Sequence, residues 1–161
     1  MEGNGVIELQ LVGVRVELPT NQPIVLLRER EGERFLPIWI GAVEATAIAF
    51  ALQGIVTPRP MTHDLLKNMI DQLSVRVDRV VITDLKDSTF YAVIELEQNG
   101  NKIEISSRPS DAIALAVRTN VPIFGAQSVL DEAAIEIRDD EEQEVEKFRE
   151  FLDHVTPEDF A

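Results

Sequence analysis

The amino-acid sequence predicts an α+β fold, a mixed and mostly antiparallel sheet packed by alanine-rich helices. Three observations predict it. Short segments with the two-residue alternation of strands recur along the chain, helical segments carrying blocks of alanine interrupt them, and the same order of elements comes round twice.

Residues 6–17, VIELQLVGVRVE, largely alternate apolar and polar side chains and form the first strand. QPIVLLRE (22–29) follows the turn-like LPTN and forms the second. A glycine turn in EREGER leads to FLPIWI (35–40), a strand in which Pro37 favours an edge or a bulge because it donates no ladder hydrogen bond. AVEATAIAFALQG (42–54) is a helix that ends at Gly54, a residue suited to the left-handed position past a helix end. MTHDLLKNMIDQL (61–73) is a second helix, with Leu65, Leu66, Met69, Ile70 and Leu73 at helical spacing.

A second round then begins. VRVDRVVITDL (75–85) and STFYAVIELEQ (88–98) are strands joined by a polar turn containing Lys86 and Asp87. NGN turns tightly into KIEIS (102–106), and the helix of SDAIALAVR follows. Ala47–Ala51 (AIAFA) matches Ala112–Ala116 (AIALA) at an offset of 65 residues, and Ile38 and Ile40 match Ile103 and Ile105 at the same offset. This register predicts an internal β-β-β-α duplication. SVLDEAAIEIR (128–138) reads as a helical turn followed by a short strand, and residues 139–161 as an acidic amphipathic helix carrying Val145, Phe148, Phe151, Leu152 and Val155. The predicted organisation is thus a domain over 1–138 and a terminal helix over 139–161 that docks on it.

Composition narrows the function classes. The net charge is −14, of which residues 131–161, with 13 acidic and 3 basic side chains, supply −10. Such a tail repels polyanions and disfavours indiscriminate nucleic-acid binding. There is no cysteine, so disulfides, thiolate metal sites and a cysteine nucleophile are excluded. The beginning of the chain lacks signal-peptide order, and no apolar run is long enough to span a bilayer. A cytoplasmic protein with no membrane partner is expected.

Two helices begin in the same way, Arg59-Pro60 before MTHDLL and Arg108-Pro109 before SDAIAL. Proline is ordinary at a helix start, Thr62 and Ser107 or Ser110 suit a cap, and Asp64 and Asp111 suit a first turn. The arginines do not, because a cation beside a helix N-terminus needs an anion to offset it. That anion is either a local carboxylate, Asp64 for Arg59 and Asp111 for Arg108, or a bound phosphate held by guanidinium forks and free helix N–H groups. His63 is either a first-turn surface residue or a general acid/base. Glu44 is either a first-turn acid or, with Asp64 or Asp111, a ligand for a hard cation. His154 reads as structural and Trp39 as core or interface. No P-loop, G-x-G-x-x-G, H-E-x-x-H or G-x-S-x-G motif is present.

The blocks LPIWIGAVEATAIAFAL, RPMTHDLL, LKDSTFYAVIEL and SRPSDAIALAV, in this order and spacing, resemble the bifunctional nuclease domain family over residues 6–135. The family takes its name from plant members described as degrading both DNA and RNA. The resemblance implies a hydrolase acting on phosphodiesters. His63, Arg59, Arg108 and Asp111 would be its catalytic set, Thr62, Ser107 and Ser110 would bind the phosphate, and Glu44 and Asp64 would hold Mg²⁺ or Mn²⁺. The family pattern often has aspartate two residues before the second arginine, where this chain has Ser106. Two other readings stand beside it: a non-catalytic module binding a small anionic ligand or a protein partner, and a purely architectural motif crossing the interface of a homodimer.

Overall fold

The computed structural model describes residues 5–17 and 21–136; the predicted helix over 139–161 lies outside them. Two antiparallel meanders form the framework. The first comprises β1 (Val6–Glu17), β2 (Gln22–Glu29) and β3 (Arg34–Trp39) and leads into α1 (Ala42–Leu52). After α2 (Thr62–Gln72) come β4 (Arg76–Lys86), β5 (Thr89–Gln98) and β6 (Asn101–Ser107), which lead into α3 (Pro109–Thr119). The remaining elements are β7 (Ile123–Ala126), α4 (Gln127–Ala133) and β8 (Ile135–Glu136).

All eight strands join one sheet in the order β6-β5-β4-β7-β1-β2-β3-β8. The meanders therefore lie on either side of β7, which runs antiparallel to β1, from Val6↔Ala126 to Leu9↔Ile123, and parallel to β4, from Val80↔Ile123 to Ile82↔Gly125. The β4–β7 pairing is what makes the sheet mixed; its other pairings are antiparallel. The element order β-β-β-α occurs twice.

Turn chemistry explains the tight connections. Asp87 and Ser88, with φ of 51° and 64°, and Asn99 and Gly100, with φ of 52° and 82°, place both central residues of their hairpins in the left-handed region. That twist matches the twist of the strands they join. Pro37 sits where prediction put it: among the described residues β8 pairs with Arg34 and Phe35 alone, so no strand flanks that side of β3 at the proline.

The alanines set how closely the layers approach. Ala45, Ala47 and Ala49 of α1 and Ala112, Ala114 and Ala116 of α3 are buried, and the two helices pack against each other. Small side chains at the crossing let the backbones come together. α1 lies over β1 and β2, α3 over β4 and β5, and α2 rests on α3. Ile48, Ile82, Ile113 and Leu115 are fully buried between these layers, each stabilising the fold by about 1.5–3 kcal/mol relative to exposure. α2 is different. Its one buried residue is His63, while Leu65, Leu66, Met69 and Leu73 of its apolar stripe are exposed. Among the described residues no helix is long and apolar enough to cross a membrane.

Candidate functional site

The first turns of α1, α2 and α3 meet at one end of the helical layer. Each helix starts with an extended residue, Gly41, Met61 and Arg108 respectively. Thr62, Ser107 and Ser110, expected as caps, do not cap: the N-terminal residues are Met61 and Arg108, without side-chain caps. Asp64 instead takes the Met61 N–H at 3.0 Å, and Ser107 donates its hydroxyl to the Arg108 carbonyl at 2.8 Å.

Arg108 is the hub. Its Nε donates to Asp111 Oδ2 at 2.9 Å, and its Nη2 donates to Glu44 Oε2 at 3.0 Å and to Asp111 Oδ1 at 3.2 Å. The other partner of the Asp111 carboxylate is His63, whose Nε2 lies 2.9 Å from Asp111 Oδ1. Glu44 from α1, His63 from α2, and Arg108 and Asp111 from the start of α3 thus form one connected constellation. Glu44 reaches it because position 41 is glycine: a Cβ there would lie 2.4 Å from Glu44 Oε1. Burial pushes the Asp111 carboxyl upward, but Arg108 and then His63 outweigh it and hold the group below its ordinary value.

A second constellation lies beside the first. Arg118 Nε donates to Asp64 Oδ1 at 2.7 Å, while its Nη1 and Nη2 donate to the carbonyls of Ala114 and Ala47, each at 3.0 Å. One guanidinium, 7% exposed, therefore joins all three helices. Its hydrogen bond to Asp64 is the main reason that carboxyl lies below its ordinary value. The Arg108–Asp111 pair is the local one expected from sequence, but the partner of Asp64 is Arg118 and not Arg59. Arg59 is exposed and makes no side-chain ion pair or hydrogen bond among the described residues; only its carbonyl is engaged, by Thr57 Oγ1 at 2.6 Å.

Two cavities flank Arg108. A groove of about 680 Å³ has a polar end of Thr62, His63, Ser107, Arg108 and Asp111 and an apolar body of residues such as Leu66, Met69, Ile94 and Ile105. Ser106, where the resembled family often carries aspartate, lines it too. A smaller cavity of about 380 Å³ on the other side includes Trp39, Gly41, Thr89, Arg108 and Ser110. Ser110 is buried, and its hydroxyl makes no hydrogen bond to another described residue. Trp39, expected in the core or an interface, is 55% exposed in this structure.

The structure thus brings together Glu44, Thr62, His63, Ser107, Arg108, Ser110 and Asp111, leaves Arg59 outside both cavities, and turns Asp64 to Arg118. The sequence does not single out Arg118, and of the two places it offers Trp39, core or interface, the 55% exposure excludes the core. Only the helical phase of Arg118, about two turns beyond Asp111, hints at its reach. Among the described residues no three His, Asp or Glu side chains converge as a metal site. Glu44 and Asp64 face different arginines, so the donor set expected for Mg²⁺ or Mn²⁺ does not fit together here.

The model of the bifunctional nuclease domain matches residues 25–138 of the chain. An uncharacterized protein of Mycobacterium tuberculosis (strain ATCC 25618 / H37Rv) is 48% identical over 162 residues, covering 95% of this chain and 97% of the relative. Bifunctional nuclease 1 of Oryza sativa subsp. japonica is 33% identical over 103 residues, covering 62% of this chain and 31% of that protein. Bifunctional nuclease 2 of Arabidopsis thaliana is 32% identical over 112 residues, covering 66% of this chain and 34% of that protein. The chain therefore spans about a third of the length of these plant relatives.

Proposed function

The chain belongs to the bifunctional nuclease domain family, and from that membership and the geometry around Arg108 we propose that it is a nuclease hydrolysing phosphodiester bonds of DNA, RNA or both. The observation that carries the reading is the Asp111–His63 pair at the polar end of the groove, beside a partly free guanidinium. Asp111 orients the imidazole and offsets the charge it gains, as a carboxylate does for a general base. His63 takes a proton from water, the water oxygen bonds to phosphorus, and the bond from phosphorus to the leaving ester oxygen breaks. The proton held on His63 then passes to that oxygen, so the imidazole returns to its neutral form.

Arg108 supplies the electrostatic part. Its Nη1 makes no hydrogen bond to a described residue, so it is available to the phosphoryl oxygens, where charge builds in the transition state. The Ser110 hydroxyl, which bonds no other described residue, and the exposed Trp39 ring wall the smaller cavity on its other side. They suit a sugar or base, since an exposed indole offers a face for stacking. The acidic tail selects against binding along a long duplex and favours short or single-stranded substrates. A cytoplasmic site of action is in keeping with a chain that has no cysteine.

The test is hydrolysis of DNA and RNA oligonucleotides by purified protein, with and without Mg²⁺ or Mn²⁺, beside His63→Ala and Arg108→Ala. Equal activity in all three proteins means a contaminating nuclease and overturns the reading. A second reading, a non-catalytic module that binds a small anion, is favoured by the Arg108 Nη1 at the polar end of the groove, which bonds no described residue and can hold an anion without any reaction. Thermal stabilisation by a mononucleotide without turnover would select it.

A further inference from the structure

We propose that the open edge of β6 and the adjoining face of α2 join two copies of this chain about a two-fold axis through Ile103. Among the described residues β6 is the last strand on its side of the sheet. It pairs with β5 in one unbroken register from Ala92↔Ser107 to Gln98↔Asn101, without a bulge or a proline. Its other side therefore presents a regular row of backbone donors and acceptors, the arrangement that natural edges usually blunt.

The apolar surface next to that edge points the same way. Ile103 and Ile105 are exposed, yet they lie on the face of Leu96 and Ile94, their buried cross-strand partners. Beside them α2 exposes Leu65, Leu66, Met69 and Leu73. Isolated exposed apolar side chains are ordinary, whereas a continuous patch marks an interaction surface.

The charges of β6 choose a second copy as the occupant. In an antiparallel pair centred on Ile103, Lys102, whose Nζ already donates to Asp78 Oδ2 at 3.1 Å and Glu97 Oε1 at 3.0 Å within its own copy, stands opposite the partner's Glu104, and the partner's Lys102 stands opposite Glu104. A pair centred one residue later would set two Glu104 carboxylates against each other. Opposite charges stabilise directly facing positions and like charges destabilise them. The strand is thus complementary to itself in one register, as a two-fold interface requires. Such a pairing keeps the α2 helices of both copies on the same side of a continuous sheet, where their apolar residues close over the seam. Because β6 leads directly into Arg108, the two candidate sites would lie at opposite ends of that seam. The inference rests on the edge and its charges and not on the hydrolytic reading, although Leu66, Met69 and Ile105 of the seam also line the groove of the candidate site.

Sedimentation equilibrium over a wide concentration series tests it. The wild type is expected at twice the 18.0 kDa of the chain, and Ile103→Lys and Met69→Lys at the mass of one chain. Both side chains are exposed, so an unchanged circular-dichroism spectrum separates loss of pairing from loss of fold. Ile103→Cys, in a chain without cysteine, should be cross-linked into a covalent pair by a short bismaleimide, whereas Val43→Cys should not. A wild type that stays monomeric overturns the proposal and gives the groove to another occupant, the chain's own residues 137–161 among them. A dimer that survives Ile103→Lys also overturns it, as does cross-linking of the Val43→Cys variant without that of Ile103→Cys.

Discussion

His63 Nε2 and Asp111 Oδ1 stand 2.9 Å apart across 48 positions of sequence, at the starts of two different helices. Neither helix alone could hold an imidazole in one orientation at the mouth of a groove. Their packing does so, and it leaves the carboxylate shared between the histidine and Arg108.

If that pair performs the hydrolysis, His63→Ala lowers kcat by about 10²–10⁴-fold. Asp111→Asn, which keeps the shape and removes the charge, lowers it by a smaller factor. Steady-state kinetics on an oligonucleotide check both, and a KM effect with kcat unchanged in either variant would count against the assignment.

Glu44 competes with any anion for Arg108. Removing its charge by Glu44→Gln should tighten binding of inorganic phosphate about threefold, since one unit charge about 6 Å away in water is worth roughly 0.7 kcal/mol. Competitive inhibition by phosphate measures it. Weaker inhibition in Glu44→Gln than in wild type would show that Glu44 serves the site by positioning the guanidinium.

Arg118 is expected to matter for stability more than for activity. Arg118→Met removes three hydrogen bonds and leaves the Ala47 and Ala114 carbonyls and Asp64 without their guanidinium partner. The loss should be about 2–3 kcal/mol, below the range of about 3–5 kcal/mol for a broken buried ion pair, because Asp64 is partly exposed. A shifted urea midpoint at constant slope would report it.

Acid should destabilise the fold through the same contacts. Asp64 is held below its ordinary value chiefly by Arg118, and Asp111 by Arg108 and His63 against the opposing effect of burial. A carboxyl depressed in the folded state stabilises it above the unfolded-state value and loses that contribution as pH falls through the folded value. Unfolding midpoints should therefore hold steady down to about pH 4 and drop below it. Asp64→Asn should start from a lower stability and show a shallower drop; an equally steep one would exclude Asp64 as a contributor.

How much of this is legible in sequence differs from element to element. The meanders are legible because their strands alternate and their turns carry residues that tolerate positive φ, such as Asp87 and Asn99. β7 is not, since Ile123-Phe124-Gly125-Ala126 is too short for a period to show, and its pairing comes from strands far away in sequence. Arg108 and Asp111 are legible as a pair because three residues in a helix start bring them together. Arg118 is not, because an arginine in a last helical turn is already accounted for by the macrodipole. Trp39 reads as core or interface among Pro37, Ile38 and Ile40, and only the end of β3 at that residue shows that it is exposed.

The position of β7 carries a consequence for the order in which the molecule can be made. Both meanders precede it in the chain, yet β1 and β4 each need it as a neighbour. A ribosome that has delivered only the residues before Ile123 holds two half-sheets whose inner edges are open, and such edges seek partners in other chains. The two halves are joined only when β7 is synthesised, after both of them, so a chain stalled before it is a pair of adhesive fragments and not a smaller version of the protein.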